Sequence, residues 1–358
     1  MPIRQDLYAR HARGQLIAWV FRLLGGCLAA AILASAAFAE EPKTYSADGW
    51  LAQCDATTCR ASHASNSGNE ALLVGRWKGT DGLAFGLATP RAIADRDRPI
   101  DLRIDDKTSL TLAPGSDYAA LEHVQSFWII NGAIAAKIAS PIASAKLLRL
   151  SYLDMVGAPH DADFDLTGLD KLAAFMVTTL GEAEGPLKGI APPKSVSPGP
   201  AASRIDLIRQ MGVPDRLMAR HLRAAASCDD PNAPRLKAVK PIIGALSKVA
   251  ILYAIPCITA PDSVAYRIWI IETGEIGGMT PQYFALYDPK FGWKGTDLLY
   301  NVAYNEASAE LTSTMPQQGS ACGLQATWTW KDYAFALKSF ELTAGCLGAR
   351  ASKIYPAR

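Results

Sequence analysis

The sequence predicts an α+β protein: two β-rich domains with antiparallel sheets and a few packed helices, stabilised by disulfides. Three observations carry that expectation. Short tracts of alternating apolar and polar residues recur in both halves, separated by Gly, Pro, Asp and Asn, the pattern of strands joined by tight turns. A tract rich in Pro, Gly and Ser, Glu182 to Ser203, has no apolar period and divides the chain. Six cysteines follow a segment with the character of an export signal, and an even set in an exported chain reads as disulfides.

The first element is the signal. Arg4, Arg10, Arg13 and Arg22 stand against one acid, Asp6, and precede the run LLGGCLAAAILASAAFA, which ends at Ala39. A basic region, an apolar core and the small-x-small site Ala37-Phe38-Ala39 place cleavage before Glu40. An uncleaved anchor and a lipoprotein are the alternatives, the second because Leu24 to Cys27 read LGGC. Most of the apolar run follows Cys27, and it is shorter than the roughly 20 residues a membrane span needs. Removing residues 1–39 takes away four Arg and one Asp and moves the formal charge from +2 to −1. That balance lacks the basic footprint of a nucleic-acid binder, and no transmembrane span is expected after cleavage. The expected location is the periplasm or the exterior, and the expected partner an unknown protein or envelope component.

Residues 40–181 are read as an N-terminal β-rich domain closed by a helix. Its strands are GWLAQC, EALLVGRW, LAFGLAT, IDLRID, SLTLA, SFWII and LLRLSYL. A short helix after Asn131 ends at Pro141. In FDLTGLDKLAAFMVTTLGE, Thr167 is placed to cap a helix with Asp170 three residues on, and Leu169, Leu172, Ala173, Met176 and Leu180 share its inner face. Residues 182–203 form the linker.

Residues 204–358 are read as a C-terminal α+β domain. A helix begins near Pro214 with Met218, Leu222 and Ala225 inward; APRLKAVK is helical up to Pro241, and IIGALS continues as a short helix or turn. The strands are VAILYAIPC, AYRIWIIET, QYFALYD, LLYNVAYN and AELTST, followed by a hairpin between Cys322 and Cys346. A two-residue turn at Lys331 and Asp332 sets Trp328 opposite Phe335, Trp330 opposite Tyr333 and Ala326 opposite Leu337 on one buried face. Such aromatic pairs contribute roughly 0.2–1 kcal/mol each beyond an Ala pair.

After loss of Cys27, the cysteines are Cys54, Cys59, Cys228, Cys257, Cys322 and Cys346. Six cysteines allow 15 pairings. Sequence order suggests 54 with 59, 228 with 257 and 322 with 346, since each pair then stays within one structural unit. Closing the 322–346 loop adds on the order of 3–4 kcal/mol by restricting the unfolded chain.

The second half resembles a bacterial family of exported proteins known as domain of unknown function 1176. The resemblance rests on Cys228, Cys257 followed by Ala265-Tyr266, Leu299-Tyr300-Asn301, Cys322-Gly323, Trp328-x-Trp330, Phe335-x-Leu337 and Cys346-x-Gly348. Trp50, Cys54, Cys59-Arg60-Ala61 and FDLTGL look like the same family, with a fainter similarity to the invasion-associated locus B family. GSACG stands where the family carries a Gly-Arg-Gly-x-Gly-Asp-Cys-Gly type run, and Cys346-Leu347-Gly348 lacks its Arg; a site served by those residues is lost from this chain. The resemblance implies export, disulfides and a two-part fold, and brings no activity.

Enzyme motifs are sparse: G-x-S-x-G, H-E-x-x-H, a Walker loop, G-x-G-x-x-G and S-x-x-K are all missing. No catalytic, cofactor-binding or metal-binding residue is assigned, and no cofactor is expected. The segment HDADFD, His160 to Asp165, offers four ligand-type side chains, read instead as a polar loop before a helix. Arg216, Arg220 and Arg223 form a stripe read as a solvated face. Trp328, Trp330 and Phe335 are read as core, against a sugar-stacking surface. WKGTD occurs at Trp77–Asp81 and Trp293–Asp297 and reads as two hairpin ends, and DRDRP at Asp95–Pro99 as a mixed-charge surface loop. The favoured function is a non-catalytic binding or envelope-associated factor with its site between the domains. The alternative is a periplasmic hydrolase or other envelope-modifying enzyme with His160 or His123 as general base beside carboxylates brought together by folding.

Overall fold

Alternation in the first half resolves into two antiparallel sheets around one core. The computed structural model describes residues 41–181, 188–224, 228–274, 277–316, 323–342 and 352–356. Its strands begin with β1 (Lys43–Ala47), β2 (Trp50–Cys54), β3 (Thr58–Ala64), β4 (Ala71–Trp77) and β5 (Ala84–Ala88). Then come β6 (Ile100–Ile104), β7 (Thr108–Leu112), β8 (Tyr118–Ala120), β9 (Ser126–Ile129), β10 (Leu147–Leu153) and β11 (Pro159–Asp165). One sheet runs β1-β2-β3-β4-β5-β9-β8, the other β11-β10-β6-β7. Leu72, Val74, Phe85 and Leu87 from the first and Ile100, Leu102, Leu148 and Phe164 from the second meet in the core, because in a pleated strand every second side chain points the same way.

Two helices cover this core. Helix α1 (Gly132–Ile142) is capped by Asn131, whose side chain accepts from the backbone N–H of Ala133 and Ile134, and Pro141 falls in its last turn. Helix α2 (Leu169–Leu180) buries Leu169, Leu172, Met176 and Leu180, as the spacing predicts. Its cap differs from expectation: Gly168, at φ 81°, holds the N-cap position, while the Thr167 backbone N–H and hydroxyl both donate to the Asp165 carboxylate. An acid two residues upstream outcompetes the helix for Thr167. The Trp50 indole N–H donates to the Thr167 carbonyl at 3.0 Å, tying β2 to the start of α2.

In the second half, the near-continuous apolar runs reflect burial of one sheet on both faces. Helices α3 (Arg204–Met211), α4 (Asp215–Arg223) and α5 (Pro234–Ala238) precede β12 (Ile242–Ala245), β13 (Ala250–Ala260), β14 (Ser263–Glu272) and β15 (Met279–Pro281). A hairpin of β16 (Phe284–Asp288) and β17 (Gly292–Thr296) follows, then β18 (Leu298–Tyr300), which pairs with β14. The last sheet orders β19 (Ala303–Asn305), β20 (Glu310–Met315), β21 (Leu324–Lys331), β22 (Ala334–Leu342) and β23 (Ser352–Tyr355) in sequence. Leu252 and Ala254 of β13 join Trp328, Phe340 and Leu311 on one side. Ile251, Tyr253 and Ile255 of the same strand point to the other side, where they meet Leu207, Ile208 and Leu217 of α3 and α4 and Ile93, Met155 and Val156 of the first half. Glu41 to Arg358 thus form one compact unit, with this seam as the core shared by its two halves.

The tract read as a linker is stitched down where it is described. Lys188 and Ile190 exchange backbone hydrogen bonds with Leu83, the Glu122 N–H donates to the Ser197 carbonyl, and the Gly199 N–H donates to Ala120. A Cβ on Gly189 would lie 1.9 Å from the Ala135 carbonyl oxygen, so only glycine fits this crossing over α1. Pro and Gly here give an extended strap held by its own backbone.

Other expectations are corrected. IIGALS holds β12, which edges onto β13, because two adjacent Ile residues complete that sheet more readily than a helix of one turn. Helix α4 turns Leu217 and His221 inward, while Met218 is half-buried and Leu222 exposed; Ala225 lies outside the described residues. In the opening of the last hairpin the turn residues are Asp332 and Tyr333, both at positive φ, and Trp330 pairs with Phe335 and Trp328 with Leu337. The slip moves the partners of Trp328 and Trp330 by two positions and so keeps Trp328, Trp330, Phe335 and Leu337 on one face, while a register shift between Thr327 and Trp328 carries Ala326, expected opposite Leu337, to Phe340. The second WKGTD lies mostly within β17, because the Asp288 carboxylate accepts from the N–H groups of Lys290 and Phe291 and fixes the turn upstream. Disulfides join Cys54 to Cys59 and Cys228 to Cys257, while Cys322 and Cys346 lie outside the described residues.

Candidate functional site

The seam opens at one end into a cleft of about 600 Å³. Its first wall is the DRDRP segment, which is no ordinary surface loop. Backbone bonds from Asp95 N–H to Leu153 and from Met155 N–H to Ile93 fasten this segment to the end of β10 and bury the Asp95 side chain. The facing wall is the start of α3, where the Ser203 side chain accepts from the Asp206 N–H and caps the helix. Arg204, first in that helix, donates from Nη1 to both Asp95 oxygens at 3.1 Å and from Nη2 to the Met155 carbonyl at 2.7 Å. One guanidinium therefore pins two segments of the first half to the second. A buried carboxylate needs such a partner, since alone it loses its hydration without compensation.

The rest of the cleft is apolar below and charged above. Ile205, Ile208, Ala245, Val249 and Ile251 contribute apolar surface, and Asp97, Arg98, Ser247 and Lys248 stand at the exposed rim. Asp95 and Arg204 neutralise each other, which leaves two cations and one acid at the rim. Among the described residues neither Arg98 nor Lys248 has a side-chain ion pair. The arrangement suits a ligand with an apolar body and an acidic edge.

Behind the cleft, the seam holds polar atoms without partners among the described residues. The Tyr253 hydroxyl, Trp269 Nε1 and Arg216 Nε are buried and unbonded, although Arg216 Nη2 donates to the Val156 carbonyl at 2.8 Å. Burial and the nearby Asp154 charge push the Tyr253 phenol well above its ordinary range. The arginine stripe is accordingly divided: Arg216 is half-buried in the seam, Arg220 donates to the Met279 carbonyl, and Arg223 is exposed.

HDADFD is strand β11, and its four side chains go to separate partners. Ala162 and Phe164 fill the core between them, so Asp161, Asp163 and Asp165 share the outer face. Asp161 accepts from Ser151, Asp163 forms a two-bond ion pair with Arg149, and Asp165 holds Thr167. The Arg149 hydrogen bonds hold the Asp163 carboxyl below its ordinary range. Among the described residues no group of three or more His, Cys, Asp or Glu could hold a metal.

The histidines occupy four separate places. His160 is the one that folding brings to a carboxylate, with Nε2 2.9 Å from Asp154 Oδ2 and its ring stacked on Tyr152. Asp154 is otherwise engaged by the N–H groups of Val156 and Ala158 in the turn before β11. Among the described residues no hydroxyl or thiol bonds the other ring nitrogen, and His160 does not line the cleft. His123 lines a separate open basin of about 830 Å³, beside Glu122, whose carboxylate pairs with Arg60. His63 lies edge-on to Trp50, and His221 is buried in α4.

Trp328 is buried in the core, with Trp330 and Phe335 half-buried beyond it. Among the described residues the exposed aromatics are Tyr283, Phe291, Trp293, Tyr333 and Tyr355; Tyr333, expected on the buried face of the last hairpin, is exposed because it occupies the turn itself. Asp95 and Arg204 escaped the sequence reading. Nothing local distinguishes a buried acid in DRDRP from a solvated one, and the pair spans 109 positions.

Residues 187–357 match the family model described as a protein of unknown function, DUF1176. No curated protein matches the chain.

Proposed function

The second half of the chain is a DUF1176 region, and on that premise we propose that the protein is a non-catalytic exported factor that binds an envelope protein or component in the cleft between its halves. The observation that carries this reading is the pairing of an apolar floor with the cations Arg98 and Lys248, which have no side-chain ion pair among the described residues, beside the Asp95–Arg204 anchor. Export is supported by the basic and apolar segment ending at Ala39 and by the two formed disulfides, which persist in oxidising compartments. Among the described residues no helix is long and apolar enough to cross a membrane. Pull-down from envelope extracts is expected to recover the same partner repeatedly with the wild-type protein and to lose it with the double variant Arg98→Glu, Lys248→Glu. Recovery of no partner, or equal recovery by both proteins, contradicts the reading. Non-reducing peptide mapping of the secreted form, read together with its N-terminus, tests the compartment.

The His160–Asp154 contact favours a second reading, a hydrolase or other envelope-modifying enzyme in which a carboxylate orients a general base. Screening against glycan, ester and peptide substrates separates the two. Turnover abolished by His160→Ala supports the enzyme, and no turnover supports the binding factor.

A further inference from the structure

The two described disulfides sit in unlike surroundings. Cys54 and Cys59 face each other across the β2–β3 hairpin, both buried. Cys257 occupies a bulge in β13: Pro256 pairs with Tyr266 and Ile258 with Ala265, which leaves Cys257 as the extra residue. A bulge of this kind re-aims a side chain, and here it sends a fully buried sulfur toward Cys228. Cys228 is partly exposed and lines a small pocket of about 140 Å³ with Met218, His221 and Leu222. His221 is itself buried, and its Nδ1 has no partner among the described residues.

Beside this bond lies a charge that a disulfide does not need. Arg267, on β14 and almost fully buried, places Nη1 3.6 Å from Cys228 Sγ while Nε pairs with Asp297 at 2.9 Å. A neutral sulfur gains little from a guanidinium. A thiolate at the same place gains an ion pair in a low-dielectric setting, which lowers a cysteine pKa and stabilises the reduced form.

We propose that Cys228–Cys257 is a redox-active disulfide that accepts two electrons from an external dithiol. The donor thiolate attacks the accessible Cys228 sulfur, a mixed disulfide forms, and the Cys228–Cys257 bond breaks with its electron pair leaving on Cys257, which takes up a proton. The donor's second thiolate then attacks the donor sulfur of the mixed disulfide and releases Cys228 as a thiolate beside Arg267. The donor is oxidised to its disulfide, both cysteines are reduced, and of the two donor protons one ends on Cys257 and one in solvent. The dependence on a cation separates this bond from Cys54–Cys59.

The test uses the full chain equilibrated in dithiothreitol buffers of graded oxidised-to-reduced ratio, with each disulfide followed by differential alkylation and mass spectrometry. Cys228–Cys257 is expected to be reduced at a more oxidising ratio than Cys54–Cys59. The reduced Cys228 is expected to react with iodoacetamide at pH 7 about tenfold faster than an unperturbed thiol, because most of it is thiolate there. Arg267→Met is expected to remove that excess. The wild-type pH profile of alkylation stands without the variant if the variant fails to fold. Reduction of both disulfides at the same ratio, or a Cys228 thiol that titrates in the ordinary range of about 8–9, overturns the proposal.

Discussion

The core of the first half and the seam between the halves are filled by the same apolar residue types, yet they treat polar groups differently. In the first half, buried Glu70 accepts from Ser65, Ser67 and Tyr152, and the Trp50 indole reaches the Thr167 carbonyl. In the seam, Tyr253 and Trp269 lie opposite each other on β13 and β14, and among the described residues neither their polar atoms nor Arg216 Nε has a partner. Among the described residues Tyr45 Oη, Arg96 Nε and Trp128 Nε1 in the first half also lack a partner, but they are scattered through it. A buried group without a partner costs about 1–3 kcal/mol. Where several lie together, the contact they line is the weaker one, and it opens before the sheets do. Coherence across the seam then rests heavily on Asp95 with Arg204, and the cleft sits beside that pair.

The largest expected effect is on the core side of the comparison. Trp50→Ala removes a fully buried indole and its hydrogen bond, and urea unfolding is expected to show a loss of about 3–5 kcal/mol. Arg204→Met comes next, because it leaves Asp95 buried and unpaired. A loss on the order of 3 kcal/mol is expected, with amide exchange accelerated in α3 and unchanged in β2 to β4. If protection falls equally in both places, the halves do not separate at the seam.

Acid is expected to loosen the same side. Burial first, and Arg267 second, lower the His221 pKa from 6.5 to about 4, so the folded state prefers the neutral ring. The unfolded chain then binds more protons between these values. Stability due to this residue is present above about pH 6.5 and falls as pH drops toward 4. Melting temperatures measured through that window are expected to fall more steeply for the wild type than for His221→Leu, and parallel curves would remove His221 as the cause.

The smallest effects draw the comparison most finely. Tyr152→Phe deletes a hydroxyl bonded to Glu70 and is expected to cost about 1 kcal/mol. Tyr253→Phe deletes a hydroxyl with no partner among the described residues and is expected to be neutral or slightly stabilising. Equal losses on chemical denaturation would show that the seam hydroxyl has a partner after all.

Where one face of a strand is buried, the sequence announced it. The alternation in IDLRID and LLRLSYL, and the continuous runs of β13 and β14, translate directly into the burial seen, and local cysteine order anticipated both described disulfides. Strands β3 and β11 were hidden because polar residues fill their outer faces, and in β11 acids that read as loop or ligands are strand residues paired with β10. Helix α3 went unnoticed because it is short and follows a Pro-rich tract that masks its Ser203 cap. The site was less legible than the fold. A cleft between the halves was anticipated, but the Asp95–Arg204 pair depends on segments far apart in the chain, and burial of a charge is decided by whatever packs over it. The same holds for Arg267, whose neighbours along β14 give no hint that its side chain ends at a sulfur.

Incorporation of a photoreactive amino acid at Val249, exposed in the cleft, and separately at Leu51, exposed on the first half, tests the binding surface most directly. Irradiation in envelope fractions is expected to give a discrete crosslinked product from position 249 that Lys248→Glu abolishes, and none from position 51. The same products from both positions, or none from position 249, would contradict the assignment of the cleft as the place where this protein meets its partner.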